Sequence, residues 1–132
     1  MNLEVNASPS SRSLSPENEA FLERFKSFWA APTGERLKEV IAPHARVHFS
    51  GVGWVSGTDY VGLMGQALET TQDIRVEVVD YADADDLLFI FWNASASIQG
   101  QRREWHGVDR FRIKDGMAVE EYVIFDPQAL QG

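Results

Sequence analysis

The first part of the chain has the spacing of an amphipathic helix. Apolar residues recur every three or four positions and form a broad aromatic stripe, made of Phe21, Leu22, Phe25, Phe28 and Trp29. Ser15 can cap this helix, Pro16 suits its first turn, and the run from Ala30 to Pro32 ends it. The pattern predicts a helix from about residue 15 that packs its stripe against a core.

Two more helices are predicted before the pattern changes. Thr33 can cap a short one, which has to stop before Pro43 because the residue ahead of a proline disfavours helical backbone. Its apolar residues are Leu37, Val40 and Ile41. Thr58 can cap a longer helix. The core-facing residues of that helix are Tyr60, Val61, Met64 and Leu68.

From residue 74 onward, apolar and polar residues alternate with the period of a β-strand. A short strand at Ala45–Phe49 and a glycine-broken stretch over 50–55 come earlier in the chain. The later strands are Ile74–Val78, Leu87–Ile98, Arg103–Lys114 and Met117–Asp126. Short turn-like breaks separate them, so they should pair as hairpins. Helices followed by such a meander predict an α+β domain with the helices on one face of an antiparallel sheet.

One carboxylate interrupts an apolar face of these strands. Alternation places Asp109 on the same face as its neighbours Trp105, Gly107, Phe111 and Ile113. Burying an unpaired carboxylate costs several kcal/mol, so Asp109 has to be paired, protonated or in contact with a wet pocket. A structural carboxylate held by a buried donor is the alternative to a functional one.

Composition excludes several classes of protein. The 132 residues suit one domain, and the net charge of −8 opposes binding to nucleic acid or to an anionic membrane. Cysteine is absent and the three histidines lack ligand spacing, so no metal site is expected. No phosphate-binding glycine loop follows a strand, and no cofactor is expected.

The chain is expected to hold one folded domain behind a tail. Residues 1–14 are rich in Ser and Asn without periodicity, which predicts a disordered tail ahead of a domain over 15–132. This segment lacks the apolar centre of a signal peptide, and no apolar run approaches the ~18 residues of a membrane span. The prediction is a cytoplasmic protein that does not contact membranes.

Several local motifs resemble a known family. The segments Gly107–Gly116 and Glu120–Asp126 are similar to its strand, Asp-Gly turn and strand ending in Asp. Gly57-Thr58 at the start of the third helix and Trp92 in the long strand agree with it. Over residues 18–130 the chain resembles the SnoaL-like and ketosteroid-isomerase-like branch of the nuclear-transport-factor-2-like superfamily. The resemblance implies a curved sheet wrapped around helices as a cone, with an apolar pocket and a dimer through the outer sheet face.

The resemblance also implies roles for two carboxylates. Asp109 falls where ketosteroid isomerases keep a protonated Asp as oxyanion donor, but their general base falls at Phe49. SnoaL-like cyclases place a catalytic Asp at the end of the last strand, which matches Asp126, and a histidine where this chain has Asp109. Epoxide hydrolases of the limonene type also match Asp126, but their partner residues fall at Trp92 and Ala94. Of the three, the cyclase-like function therefore lacks the fewest of its family's catalytic residues in this chain.

These considerations define a candidate site. Its catalytic residues are Asp126 and Asp109, although strict alternation turns Asp126 to the same side as Tyr122. A flat aromatic wall suited to a planar ligand supplies the substrate-binding residues, which are Trp92, Trp54, Trp105, Phe25, Trp29, Phe49, Met64, Phe111 and Tyr122. The expected function is cyclase- or isomerase-like proton transfer on a small hydrophobic carbonyl compound. The alternative is a non-catalytic module that binds a small molecule or assembles proteins, and a cavity plugged by Trp92 and Trp105 would favour it.

The outer face of the long strand predicts a homodimer. Leu87, Phe89 and Phe91 would leave an apolar patch on a sheet face that no helix covers. A two-fold arrangement buries such a patch on both copies with one surface. His48 is expected on this face or elsewhere on the surface rather than in the site.

Overall fold

The computed structural model describes residues 14–130. The tail predicted over residues 1–14 lies outside this range, apart from Leu14, which packs against the core. Among the described residues, no helix has the length and apolar character needed to cross a membrane.

The first helix forms where the sequence predicts it. Helix α1 spans Pro16–Ala30, and the Ser15 hydroxyl accepts a hydrogen bond of 3.1 Å from the Asn18 backbone N–H. The Asn18 side chain donates to the Asp83 carboxylate at 2.9 Å, which ties the start of α1 to a later strand. The aromatic stripe lies inward, with Phe21 and Phe25 contacting Phe111 at ring-centroid distances of 4.8 and 5.8 Å.

The next two helices begin or end at residues other than those predicted. Helix α2 spans Gly34–Leu37 behind its Thr33 cap, so Val40 and Ile41 do not lie on it. A strand already begins at Ile41, because helical backbone is disfavoured so close to Pro43. Helix α3 spans Gly57–Thr70 and is capped by Ser56, two residues before the predicted cap Thr58.

Six strands form one curved, unclosed sheet. They are β1 Ile41–Phe49, β2 Gly53–Ser56, β3 Gln72–Ala84, β4 Leu87–Ile98, β5 Gln101–Lys114 and β6 Met117–Phe125. Their order across the sheet is β2-β1-β6-β5-β4-β3, and the neighbours are antiparallel except for the parallel pair of β1 with β6. The glycine-broken stretch over 50–55, to which no element was assigned from the sequence, contains most of β2.

Two-residue turns join the last three strands. Gln99 and Gly100 have φ of 54° and 80°, and Asp115 and Gly116 have the same two values. Positive φ at both central residues suits the right-handed twist of the flanking strands. These turns fix the register of β4, β5 and β6, and the register decides which side chains face the helices.

The alternation predicted for β4 and β5 is confirmed. Leu88, Ile90, Trp92, Ala94 and Ala96 are buried on one face of β4. On β5 the buried residues of that face are Asp109, Phe111 and Ile113. This face is concave and receives the helices, so the core and the carboxylate lie on the same side of the sheet.

Candidate active site

A cavity of about 140 Å³ lies between the helices and the concave face of the sheet. Most of its wall is apolar. Eight of the residues predicted for the site line it, which are Phe25, Trp29, Phe49, Met64, Trp92, Trp105, Asp109 and Phe111. The two tryptophans border the space without filling it. The volume is below the ~300 Å³ typical of sites for drug-sized ligands and close to the ~150 Å³ of a cavity that holds benzene.

Two carboxyl groups meet in this wall. Asp109 on β5 is 5% exposed and Glu121 on β6 is 4% exposed. Asp109 pairs with Val123 and Glu121 pairs with Phe111, so the two acids stand diagonally on neighbouring strands and face the same side. Their side chains lie within hydrogen-bonding reach of each other. Two like charges this close in an apolar wall cannot both be maintained, so the pair has to hold a proton.

The protonation of the pair follows from its burial. Burial raises the pKa of Asp109 to about 7, and hydrogen bonds with Trp92 and Glu121 act in the opposite direction. Burial also raises the pKa of Glu121 well above its usual range, and the charge of Asp109 and its hydrogen bond add to that rise. The two carboxyls therefore titrate as a pair, which keeps a proton at a pH where exposed carboxyls would have lost it.

A phenol reaches the same site from helix α3. Tyr60 is 5% exposed, lines the cavity and contacts the Phe49 ring at a centroid distance of 5.9 Å. Burial raises its pKa well above 10, and the charges of Glu121 and Asp109 raise it further. Tyr60 is thus a neutral O–H donor beside the carboxyl pair.

The position of the Trp92 indole depends on a glycine. Trp92 on β4 pairs with Gly107 on β5. A Cβ atom at Gly107 would lie 2.7 Å from Cζ2 of Trp92 and 2.5 Å from the carbonyl oxygen of Ile124. Because Gly107 has no Cβ atom, the Trp92 indole can lie flat across β5, where it reaches Asp109.

The structure places the other predicted site residues away from the cavity. Trp54 is 46% exposed and belongs to a cluster on the outer face, where Tyr122 stacks on His48 at 4.2 Å and Trp54 meets the His48 ring edge-on at 5.1 Å. The prediction that Trp54 and Tyr122 contact substrate in the pocket does not agree with this arrangement. Tyr122 follows Glu121 directly, and alternation turns it outward.

Asp126 also stands apart from the carboxyl pair. Its side chain is exposed and does not line the cavity. The carboxylate accepts a 3.0 Å hydrogen bond from the Gln128 backbone N–H at the start of the 3₁₀ helix Pro127–Leu130. This is the capping position that a carboxylate ahead of a proline commonly takes.

Sequence reasoning missed Glu121 and Tyr60 as site residues. Glu121 shares its strand face with Val123 and Phe125, both of which line the cavity, so the alternation that placed Asp109 would also have found it. Tyr60 was predicted to face the core, but its hydroxyl gave no sign of which strand it would meet. Within residues 14–130, no group of three or more His, Cys, Asp or Glu residues is placed to hold a metal ion.

Comparisons with known proteins agree with this architecture. The family model of the SnoaL-like domain matches residues 22–121. No curated protein matches the chain. Among solved structures, AclR from Streptomyces galilaeus, a candidate hydroxylase, is 24% identical, with a TM-score of 0.74 over 86% of this chain and 78% of that one.

Two further solved structures share the fold. IdmH from Streptomyces antibioticus, a candidate polyketide cyclase, is 19% identical, with a TM-score of 0.74 over 86% of this chain and 94% of that one. A candidate polyketide cyclase from Bacillus cereus is 18% identical, with a TM-score of 0.76 over 99% of this chain and 94% of that one. At these identities the similarity establishes the fold.

Proposed function

Because the chain belongs to the SnoaL-like domain family, we propose that it is a cyclase- or isomerase-like enzyme that moves a proton on a small hydrophobic carbonyl compound. The observation that carries the proposal is the pair Asp109 and Glu121, buried in the wall of an otherwise apolar cavity. A fold of this kind hosts many functions, so the chemistry depends on the residues of the site.

The pair supplies a base and an acid to the same space. Ionised Asp109 is the general base, because its pKa of about 7 lies close to neutral pH, where a base is most effective. Glu121, whose pKa burial raises well above its usual range, is the hydrogen-bond donor. Two carboxyls whose environments separate their pKa values commonly divide these roles.

The reaction starts at a carbon next to the carbonyl group. Asp109 takes the proton as the C–H bond breaks, and the electron pair moves to the carbonyl oxygen to form an enolate. Glu121 and the Tyr60 hydroxyl are the donors available to that oxygen. A conjugated enolate then takes the proton back from Asp109 at a different carbon, which isomerises the substrate. Alternatively, the enolate carbon attacks a second carbonyl carbon, which closes a ring, and the new alkoxide oxygen takes the proton from Asp109. General acid–base catalysis of this type contributes ~10²–10⁴-fold in rate.

The cavity limits the size of the substrate. Its volume of about 140 Å³ suits a compound with one ring. The walls supply apolar contacts from Trp92, Trp105 and Phe49, and the polar groups lie at one place in the wall. A compact cyclic ketone fits these features.

Hydrogen–deuterium exchange tests the proposal without knowledge of the natural substrate. Small cyclic ketones are incubated with the enzyme in deuterated buffer, and deuterium at the carbon beside the carbonyl is followed by NMR. We expect exchange well above the buffer rate, a loss of ~10²-fold or more in Asp109→Asn, and full activity in Asp85→Asn. Asp85 is an exposed turn residue with φ of 58°, a conformation that asparagine also accepts.

The same assay separates the alternatives. Loss of exchange in Asp126→Asn but not in Asp109→Asn would place the chemistry at the end of the last strand. Absence of enzyme-dependent exchange across the panel would contradict the proposal and favour the non-catalytic binding module.

A further inference from the structure

The charges in the cavity wall all have one sign. Its described residues include two acids, Asp109 and Glu121, and no Lys, Arg or His. Oδ1 of Asp109 and Oε1 of Glu121 are buried and have no hydrogen-bond partner within residues 14–130. An unpartnered buried oxygen costs free energy, which a ligand that donates a hydrogen bond to it recovers. The wall therefore presents acceptors to a ligand and offers no cation to an anionic one.

Aromatic rings surround these acceptors. Trp92, Trp105, Trp29 and Phe49 all line the same cavity, with the Tyr60 ring on the side of α3. The faces of such rings attract a cation, and the attraction grows when water is excluded. Aromatic walls combined with carboxylates are the surroundings in which proteins bind organic ammonium ions.

A groove that borders the cavity carries a small excess of acid. An open groove shares Trp29 and Trp105 with the cavity. Its charged side chains are Asp73, Glu77 and Glu104 on the acidic side, and Arg75 and His106 on the basic side. The whole chain has a net charge of −8. Such a field raises the local concentration of cations near the protein surface and repels anions.

We infer that the cavity binds a compact hydrophobic amine as its ammonium ion, with the N–H groups donating to Asp109 Oδ1 and Glu121 Oε1. The size of the cavity restricts the hydrocarbon part to about one ring. This inference goes beyond the proposed function, because binding requires the charge and shape of the cavity and no proton transfer to carbon.

Three ligands of matched shape test the inference by isothermal titration calorimetry at pH 7.5. Cyclohexylamine is protonated at this pH, cyclohexanol is neutral, and cyclohexanecarboxylate is an anion. We expect the amine to bind roughly tenfold or more tightly than the alcohol, and the carboxylate to show no binding. Equal affinity for the amine and the alcohol, binding of the carboxylate, or no binding of the amine would each overturn the inference.

Variants locate the binding site. The Asp109→Asn/Glu121→Gln double variant keeps the size of the side chains and removes the charge of the pair. It should weaken the amine by roughly tenfold while cyclohexanol changes by less than about twofold. Asp85→Asn, in the exposed turn between β3 and β4, should leave both affinities unchanged. Amine binding that persists in the Asp109→Asn/Glu121→Gln double variant would assign it to the acidic surface and overturn the inference.

The outcome is separable from that of the ketone assay. Amine binding without isotope exchange would support the inference and contradict the proposed function. Isotope exchange without a preference for the amine would support the proposed function and contradict the inference. If the inference and the proposed function are both correct, cyclohexylamine should inhibit the isotope exchange competitively, because the amine and the ketone then occupy one cavity.

Discussion

Asp109 and Glu121 stand diagonally across the β5–β6 pair, with Asp109 opposite Val123 and Glu121 opposite Phe111. Diagonal neighbours on one face of an antiparallel pair lie close enough for long side chains to touch. The strand register therefore brings two acids together in an apolar wall, where they hold a proton that exposed carboxyls would have lost.

The carboxyl pair should make stability fall as the pH rises. The pKa of Asp109 is raised in the folded state, so the folded protein binds more protons than the unfolded chain between about pH 4 and pH 7. Its contribution is complete below the unfolded pKa and is lost as the pH rises through the folded one. The expected slope is roughly 1.4 kcal/mol per pH unit for each proton released.

Denaturant unfolding of the wild type and the Asp109→Asn/Glu121→Gln double variant checks this prediction. The neutral amides imitate the protonated pair, so the variant should be the more stable protein at pH 8 and should lose that advantage near pH 4.5. A constant difference in unfolding free energy across this range would show that the pair is not protonated by folding.

Gly107 should be required for the position of Trp92. An alanine Cβ would lie 2.5 Å from the Ile124 carbonyl oxygen and 2.7 Å from the indole, so backbone or ring has to move. We expect Gly107→Ala to lower the unfolding free energy by ~1–3 kcal/mol and to change the near-ultraviolet circular dichroism of the tryptophans.

Gly62 supplies the matched control. It is an exposed glycine of α3, and a Cβ added there meets no atom within 4 Å. Gly62→Ala should leave the tryptophan signal unchanged and stabilise the protein by up to ~1 kcal/mol, because alanine is the better helix former. Equal effects of the two substitutions would contradict the role given to Gly107.

The outer face of the sheet should join two copies of the chain. Phe91 pairs with Val108, which pairs with Ile124, and this row crosses the sheet with Phe91 48% and Ile124 51% exposed. We propose that a homodimer covers the row. Sedimentation should give about twice the chain mass of 14.8 kDa for the wild type and the monomer mass for Phe91→Glu.

A second exposed apolar residue provides the control for assembly. Val52 is 57% exposed but lies in the loop between β1 and β2. Val52→Glu should remain dimeric. A monomeric wild type at micromolar concentration, or a dimer that survives Phe91→Glu, would rule out this interface.

Periodicity was sufficient to predict most of the fold. The stripe of α1 and the two faces of β4 and β5 follow from repeats of 3.6 and 2 residues, which burial enforces over many positions at once. The wrong or missing predictions concern short segments, in which few residues distinguish a helix, a strand and a loop. Ile41 was assigned to a helix because its apolar character suits either element, and β2 went unseen because Gly51 and Gly53, with φ of 85° and 97°, resemble a loop.

The candidate site was predicted in part. Asp109 and the aromatic residues of α1 and β4 could be placed because alternation and helical spacing determine their faces. The contact of Asp109 with Glu121 depends on the register of β5 against β6, which no local pattern gives. Trp54 and Tyr122 were expected in the pocket as aromatic residues, but both contact the His48 ring on the outer face.

Titration of the side-chain carboxyl carbons by ¹³C NMR shows directly whether the buried pair holds a proton at neutral pH. The signals of Asp109 and Glu121 are assigned by their loss in Asp109→Asn and Glu121→Gln, and their shifts are followed from pH 4 to pH 9. We predict that Asp109 ionises near pH 7 and that the pKa of Glu121 lies well above its ordinary range. Ionisation of both carboxyls near the ordinary value of about 4 would mean that neither holds a proton in the cavity at neutral pH, and would contradict the proposed acid–base pair.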